Sequence, residues 1–242
     1  MSVFKELLDQ LYFGYSPFDY VNVNDTDFGY PHTNIDEPLI NAVMTEFKPT
    51  FWLEIGSMLG NSAIKVAKAN PDVEIVCLDP FCGDVNMWAW ERNLFIKKEW
   101  RFLNLIKGQP TIYNRFLANV KSSGYETRIM PIPCTSIIGL KLLARLHDER
   151  RITQLPSVIY LDSAHEEDET YLEIKRCWEL LPSGGLLIGD DWDWAAVRND
   201  ALRFFINKTV NLETKERLTS VIAPTEDLVN IIRYNNQWVA FK

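Results

Sequence analysis

The feature that most constrains this chain is the run from Phe51 to Asp79, where strand, glycine turn, helix and strand follow one another without interruption. Phe51 to Ile55 reads as a buried strand, a helix runs from about Ser62 to Ala69 until Asn70-Pro71 stops it, and Glu74 to Asp79 reads as a second strand. Between the first strand and the helix, Glu54-Ile55-Gly56-Ser57-Met58-Leu59-Gly60 puts an acid at the strand end and spaces the glycines as ExGxxxG. Gly56 lets the backbone turn tightly, and Gly60 lets a ligand or a helix approach where a Cβ would intrude. A carboxylate at Glu54 repels a pyrophosphate and attracts the cationic amino group of an amino-acid ligand. The spacing also departs from the dinucleotide GxGxxG. Asp79, at the end of the second strand, stands where nucleotide-binding folds place an acid on the ribose hydroxyls.

The rest of the chain repeats the pattern of apolar strand, turn signal and amphipathic helix that builds a parallel sheet. Arg128 to Pro133 is the third strand, Ile138, Leu142, Leu143 and Leu146 mark the stripe of a helix, and Ser157 to Asp162 is the fourth strand. A helix over 166–181 carries Tyr171, Ile174, Trp178 and Leu181 on one face, with acids at 166–169 where the helix dipole favours them. Pro182 and Gly184-Gly185 end it. Gly185 to Asp191 is the fifth strand, Ala195 to Asn207 a further helix, and Asn230 to Tyr234 with Gln237 to Phe241 a hairpin turned by Asn235-Asn236. Residues 217–223 are left between strand and loop. Two aromatic-rich stretches, in the first 35 residues and at about 81–125, fall outside the pattern and read as caps over the carboxyl ends of the strands. The second holds Met87-Trp88-Ala89-Trp90 and Trp100, most of them expected to pack the cap onto the body.

Composition narrows the function classes. Hydrophobic residues at 47% and charged residues at 24% are those of a globular chain, and one domain spanning 1–242 is the expectation. A net charge of -8 with scattered Lys and Arg argues against nucleic acid as partner and for a small molecule. No stretch approaches the roughly 18 apolar residues of a membrane span, and the N-terminus shows no leader pattern, which points to the cytoplasm. Cys77, Cys82, Cys134 and Cys177 lack metal-ligand spacing and read as reduced structural thiols. A homo-oligomer is compatible with all of this.

Phe51 to Asp79 resembles motif I and the following acidic motif of class I S-adenosylmethionine-dependent methyltransferases. Val158-Ile159-Tyr160-Leu161-Asp162-Ser163-Ala164-His165 and Leu180 to Trp192, ending Gly189-Asp190-Asp191-Trp192, resemble the branch of macrolide-sugar O-methyltransferases and cephalosporin-hydroxylase-like proteins. The likeness spans about residues 35–208. It implies an α/β, Rossmann-like sheet of seven strands in the order 3-2-1-4-5-7-6 with the last strand antiparallel, and S-adenosylmethionine as cofactor. Glu54, Gly56, Ser57, Gly60 and Asp79 would contact that cofactor, and Ser136 falls where relatives often touch the adenine, although no motif matches there.

In such a sheet strands four and five are neighbours, so Asp162 and Asp190-Asp191 end about 4.8 Å apart laterally. Three crowded carboxylates call for a cation, and oxygen ligands suit Mg²⁺, Mn²⁺ or Ca²⁺, with Mg²⁺ foremost. The resembled enzymes hold a divalent ion here, some with Asp-Asn where this chain has Asp-Asp; a helix-capping role for one acid competes. His165, three residues after Asp162, is expected as a neutral imidazole that takes the acceptor's proton, with Asp162 beside it in the catalytic set. A structural role at the helix end is the alternative. His32 stands in the first cap without a motif, and His147 ends a polar helix. The function expected is O-methylation of a hydroxylated small molecule, such as a sugar or glycosylated metabolite. A nicotinamide-dependent oxidoreductase and a non-catalytic S-adenosylmethionine-binding protein are the rivals.

Overall fold

The computed structural model describes residues 2–28, 35–91, 93, 102–163, 165–205, 212–213 and 231–242. The strands are β1 (Phe51–Ile55), β2 (Glu74–Leu78), β3 (Ile129–Ile132), β4 (Val158–Leu161), β5 (Leu186–Gly189), β6 (Leu212–Glu213), β7 (Ile231–Tyr234) and β8 (Gln237–Phe241). They form one sheet in the order β3-β2-β1-β4-β5-β8-β7-β6. From β3 to β5 every pair is parallel, and β8 runs antiparallel to both β5 and β7. The seven-strand order 3-2-1-4-5-7-6 is therefore present, with the hairpin β7-β8 filling its last two places. The two-residue β6 adds an edge strand parallel to β7. Asn235 turns the hairpin at φ 55°, the left-handed conformation that asparagine tolerates.

Both faces of the sheet are covered, which is why β1 is buried along its whole length. Alternation sends Leu53, Val76, Ile159 and Leu187 to one core and Trp52, Ile75, Cys77, Tyr160 and Ile188 to the other. Helices α1 (Val3–Tyr12), α6 (Ser136–Asp148), α7 (Glu169–Leu180) and α8 (Ala195–Phe205) cover the first face. On the second lie α2 (Glu37–Glu46), α3 (Asn61–Ala69) and α5 (Ile112–Ser122). The chain winds outward from β1 through β2 to β3, then returns to place β4 on the other side of β1. That reversal opens a crevice beyond the carboxyl ends of β1 and β4, the usual ligand position in open α/β sheets.

The cap boundaries drawn from the sequence shift. Residues 3–12 form α1, which belongs to the body: Val3 and Leu7 are fully buried against the sheet, and the Phe4 amide donates to Glu74 at the start of β2. Likewise α5 is the crossover helix between β2 and β3, with Phe116 and Val120 in the core. What overhangs the strand ends is the segment after β2 that carries the short helix α4 (Val85–Glu91), while a strap at 13–28 lies against α5 and the start of α3. In α6 the stripe is also displaced: Gly139, Leu140, Leu143 and Leu146 face the core, whereas Ile138 is exposed. Hydrophobic residues fill nearly every turn of this helix, so packing against β2 and α7 chooses the buried face. Trp100, His32, Asn230, residues 206–207 at the end of the expected last helix, and 217–223 lie outside the described residues. Cys77, Cys82, Cys134 and Cys177 are free thiols. Among the described residues no helix is long and apolar enough to cross a membrane.

Candidate active site

A cavity of about 680 Å³ opens at the carboxyl ends of β1, β2, β4 and β5. Its floor on one side is the loop after β1. Gly56, at φ 86°, sits so close to β4 that a Cβ would lie 1.8 Å from the Asp162 carbonyl oxygen. Glycine is thus demanded by backbone against backbone as well as by the turn. Gly60, at φ 83°, turns the chain into α3, but a Cβ there would meet the Phe116 ring at 3.1 Å. It admits α5 and does not line the cavity.

Glu54 lies beneath this loop, wholly buried, and accepts a hydrogen bond from Ser62 Oγ at 2.9 Å. Burial raises its pKa to about 7 despite the opposing Ser62 hydroxyl. Its other oxygen, Oε2, and the buried Ser57 Oγ have no hydrogen-bond partner. Asp79 accepts from the Met58 amide at 2.7 Å and from the Phe81 amide, so the loops after β1 and β2 hold it from both sides. Burial pushes Asp79 up, and those amides pull against it. Ser57, Asp79 and, on the first turn of α6, Ser136 all line the cavity.

The acids of the opposite wall take different partners, although the Tyr160 hydroxyl reaches both Asp190 and, at 3.3 Å, Asp162. Tyr160 Oη, deep in β4, donates to Asp190 Oδ2 at 2.6 Å, Gln237 Nε2 donates to the same oxygen at 3.3 Å, and Asp190 Oδ1 accepts from the Asp191 amide at 2.8 Å. Asp190 is thereby turned away from the cavity and absent from its lining. Asp191, at φ 55°, swings the other way: its Oδ2 lies 2.7 Å from His165 Nε2, and its Oδ1 accepts from Asn236 at 3.2 Å. Asp162, His165 and Asp191 each offer a ligand atom within 4.8 Å of the others, the one such metal-compatible group among the described residues. The grouping keeps Asp162 and Asp191 of the expected acids and adds the His165 imidazole, with Asp190 outside it.

His165 is the residue whose state differs most from expectation. Burial lowers its pKa, but hydrogen bonding to Asp191 and Asp84 and the charges of Asp191 and Asp162 outweigh this and raise it to about 10. These acids favour the charged imidazolium over the neutral ring that a base requires. Its Nδ1 is 3.6 Å from Asp84 Oδ2, and its face stacks on Trp194 with centroids 4.8 Å apart. Burial together with Asp190 and Asp191 pushes Asp162 well above the usual carboxylate range. Asp84, which also accepts from the Met87 amide at the start of α4, and Trp194 were missed as site residues. An Asp three residues before a helical Met was the available signal for Asp84; nothing local marked Trp194. Met87 and Trp90 of the aromatic cap line the cavity as well, whereas Trp88 hydrogen-bonds the Cys82 carbonyl outside it.

A sheet in this order, with an acid and a glycine loop at its switch point and an acid at the end of the next strand, is what the resemblance to class I S-adenosylmethionine-dependent methyltransferases implies. A family described as a methyltransferase domain matches residues 53–192, more than half of the chain, and the protein belongs to that family. Among solved structures, cofactor-bound Rv0187 from MTB is similar with a TM-score of 0.54 at 15% identity, over 97% of this chain and 94% of that one. The O-methyltransferase TomG from Streptomyces achromogenes, solved with SAM, gives 0.53 at 13% identity over 99% and 88%. The O-methyltransferase from Bacillus cereus in complex with SAH gives 0.52 at 12% identity over 100% and 91%. At such identities the likeness is one of fold. No curated protein matches the chain.

Proposed function

We propose that this methyltransferase moves a methyl group from S-adenosylmethionine to a hydroxyl of a small molecule, a sugar or glycosylated metabolite being the expected acceptor. The observation that carries the reading is one continuous cavity joining the loop after β1 to the Asp162, His165 and Asp191 group. Its volume of about 680 Å³ accommodates a cofactor and a small acceptor together. Ser57, in the cavity lining, would meet the amino-acid end with the buried Glu54 behind it, and Asp79 retains lone pairs for ribose hydroxyls. TomG and the Bacillus cereus protein, by their descriptions O-methyltransferases, favour oxygen as the acceptor atom.

Methyl transfer in line from sulfonium to oxygen depends mainly on alignment. Trp90 and Trp194, both in the lining, would offer flat faces to a sugar ring, and Ser136, also in the lining, would contact the adenine. Asp162 and Asp191 would hold a divalent cation, Mg²⁺ foremost on their oxygen chemistry, and His165 beside them would keep its Nε2 for the acceptor's proton. Such an ion would polarise the acceptor hydroxyl and cancel the negative charge that keeps His165 protonated. His165 is the residue placed to accept the hydroxyl proton at Nε2, and Asp84 at Nδ1 and Trp194 on the ring face fix its orientation.

The test is transfer of labelled methyl from S-adenosylmethionine to a library of hydroxylated acceptors, run with and without exhaustive chelation. Labelled O-methyl product that disappears on chelation and returns with Mg²⁺ or Mn²⁺ is expected. Activity indifferent to chelation removes the cation, and labelling only of nitrogen or carbon removes the O-methyl reading. Thermal stabilisation by NAD(H) and not by S-adenosylhomocysteine would favour the oxidoreductase instead.

A further inference from the structure

The strap at 13–28 is joined to the floor of the cavity through one fully buried side chain. Asn119, in the middle of α5, donates through Nδ2 to the Leu59 carbonyl in the loop after β1 and to the Asp27 carbonyl in the strap, each at 2.9 Å. Its Oδ1 accepts from the Asp27 amide at 2.9 Å. One turn earlier Arg115, also buried, pairs with Asp27 Oδ2 at 3.1 Å and donates to the Phe102 carbonyl in the segment before α5. The strap's next residue is tied too, since Asn61 Nδ2 at the start of α3 donates to the Phe28 carbonyl at 2.9 Å. Asn61, Leu59 and Phe102 all line the cavity.

A buried amide that spends every hydrogen bond on loop backbone is costly to leave unsatisfied, so the strap and the loop after β1 each hold the donor the other needs. We propose that Asn119 and Arg115 are positioning residues that couple docking of the N-terminal strap to binding of the cofactor, so that each favours the other. The inference rests on the reading of the β1 loop as the cofactor loop. Ordering of Leu59 by a ligand keeps Asn119 in place for Asp27, and a docked strap keeps Asn119 in place for Leu59; such coupling is reciprocal by thermodynamic necessity. The strap is also anchored by Phe18, which is buried and whose carbonyl accepts from Lys121 Nζ at 2.7 Å, and by Val21 packed against the same core. Phe13, Tyr15 and Tyr20 are exposed, which gives the strap convenient chymotrypsin sites.

The experiment pairs calorimetric titration of S-adenosylhomocysteine with chymotrypsin cleavage of the full chain, with and without that ligand. In the wild type the ligand should slow cleavage at Tyr15 and Tyr20 several-fold. Asn119→Ala should weaken ligand binding by about tenfold and abolish the protection, as loss of a buried hydrogen-bonding group predicts. Because Asn119→Ala removes a buried group, Asp27→Ala serves as the gentler variant: it keeps the backbone partners of Asn119, loses the Arg115 pair, and should weaken binding by about threefold with partial loss of protection. Asp27→Glu, which retains the charge, should restore part of both. Ligand binding without protection in the wild type, or unchanged affinity in both Ala variants, overturns the coupling alone. A wild type that does not bind S-adenosylhomocysteine overturns the cofactor reading, and the coupling with it.

Discussion

The two walls of the cavity are built in different ways. The cofactor wall is one contiguous run, Glu54 to Asp79, whose strands pair with each other and whose loop is locked by the Met58 amide on Asp79 and the Gly56 amide on the Leu78 carbonyl. The acid wall is assembled from three distant stretches: Asp84 after β2, Asp162 and His165 after β4, and Asp191 with Trp194 after β5. In the first, covalent neighbours and backbone hydrogen bonds set the geometry. In the second, charges set it, with a single imidazolium between Asp84 and Asp191. A wall held by backbone should tolerate changes of charge and fail on changes of volume, and a wall held by charge should do the reverse.

The sharpest break is Gly56→Ala, because this glycine touches both walls. Left-handed φ and a Cβ 1.8 Å from the Asp162 carbonyl oxygen together should cost more than about 4 kcal/mol. Loss of cooperative unfolding by circular dichroism, or of all binding of S-adenosylhomocysteine, is expected; a stable, binding-competent variant would show that the loop and β4 can separate. Next in size is His165→Ala, which should lower kcat roughly 100-fold to 10,000-fold in single-turnover methyl transfer while leaving cofactor affinity nearly intact. Equal loss of affinity would mean that the two walls are not independent.

The walls should also separate along the pH axis. Glu54 has a folded pKa of about 7 against 4.5 for the ordinary carboxyl, so its contribution is full below about 4.5 and is lost as pH rises to 7. That change corresponds to about 3 kcal/mol. His165, raised from 6.5 to about 10, contributes stability fully below 6.5 and loses it as pH climbs through 10. Unfolding followed against pH should therefore show stability falling across both windows, with Glu54→Gln shrinking the lower loss, to which the raised Asp79 and Asp162 also contribute, and His165→Gln the upper. If one substitution flattens both, the two groups titrate together. The smallest effect belongs to Asp79→Ala, expected to weaken S-adenosylhomocysteine by about 10-fold to 100-fold and leave acceptor KM unchanged, read by calorimetry and steady-state kinetics.

Much of the molecule was legible from residue order. Apolar runs and turn residues located β1 to β5 and the hairpin to within a residue or two, because strands buried on both faces are continuous apolar runs bounded by glycine, proline and polar residues. The helix face of α6 was misplaced because Ile138, Leu140, Leu142 and Leu143 satisfy more than one stripe. The cap boundaries were drawn too wide for a related reason: α1 and α5 are amphipathic helices like any others, and only their contacts reveal which surface they cover.

For the site, the sequence alone determined the acid and glycine loop, Asp79, and the presence of acids beyond β4 and β5, since these follow from local geometry within single strand-turn units. Tertiary structure decided which acids meet. The left-handed turn at Asp191 aims one carboxylate at His165, while Tyr160 and Gln237 hold Asp190 away from the cavity. It also decided the charge of His165, through Asp84, which is 81 positions earlier in the chain, and the burial of Asn119 between the strap and the loop after β1. Hydrogen bonds and charges act over a few ångströms of space whatever the separation along the chain, and that proximity exists only after the sheet has wound and its loops have met.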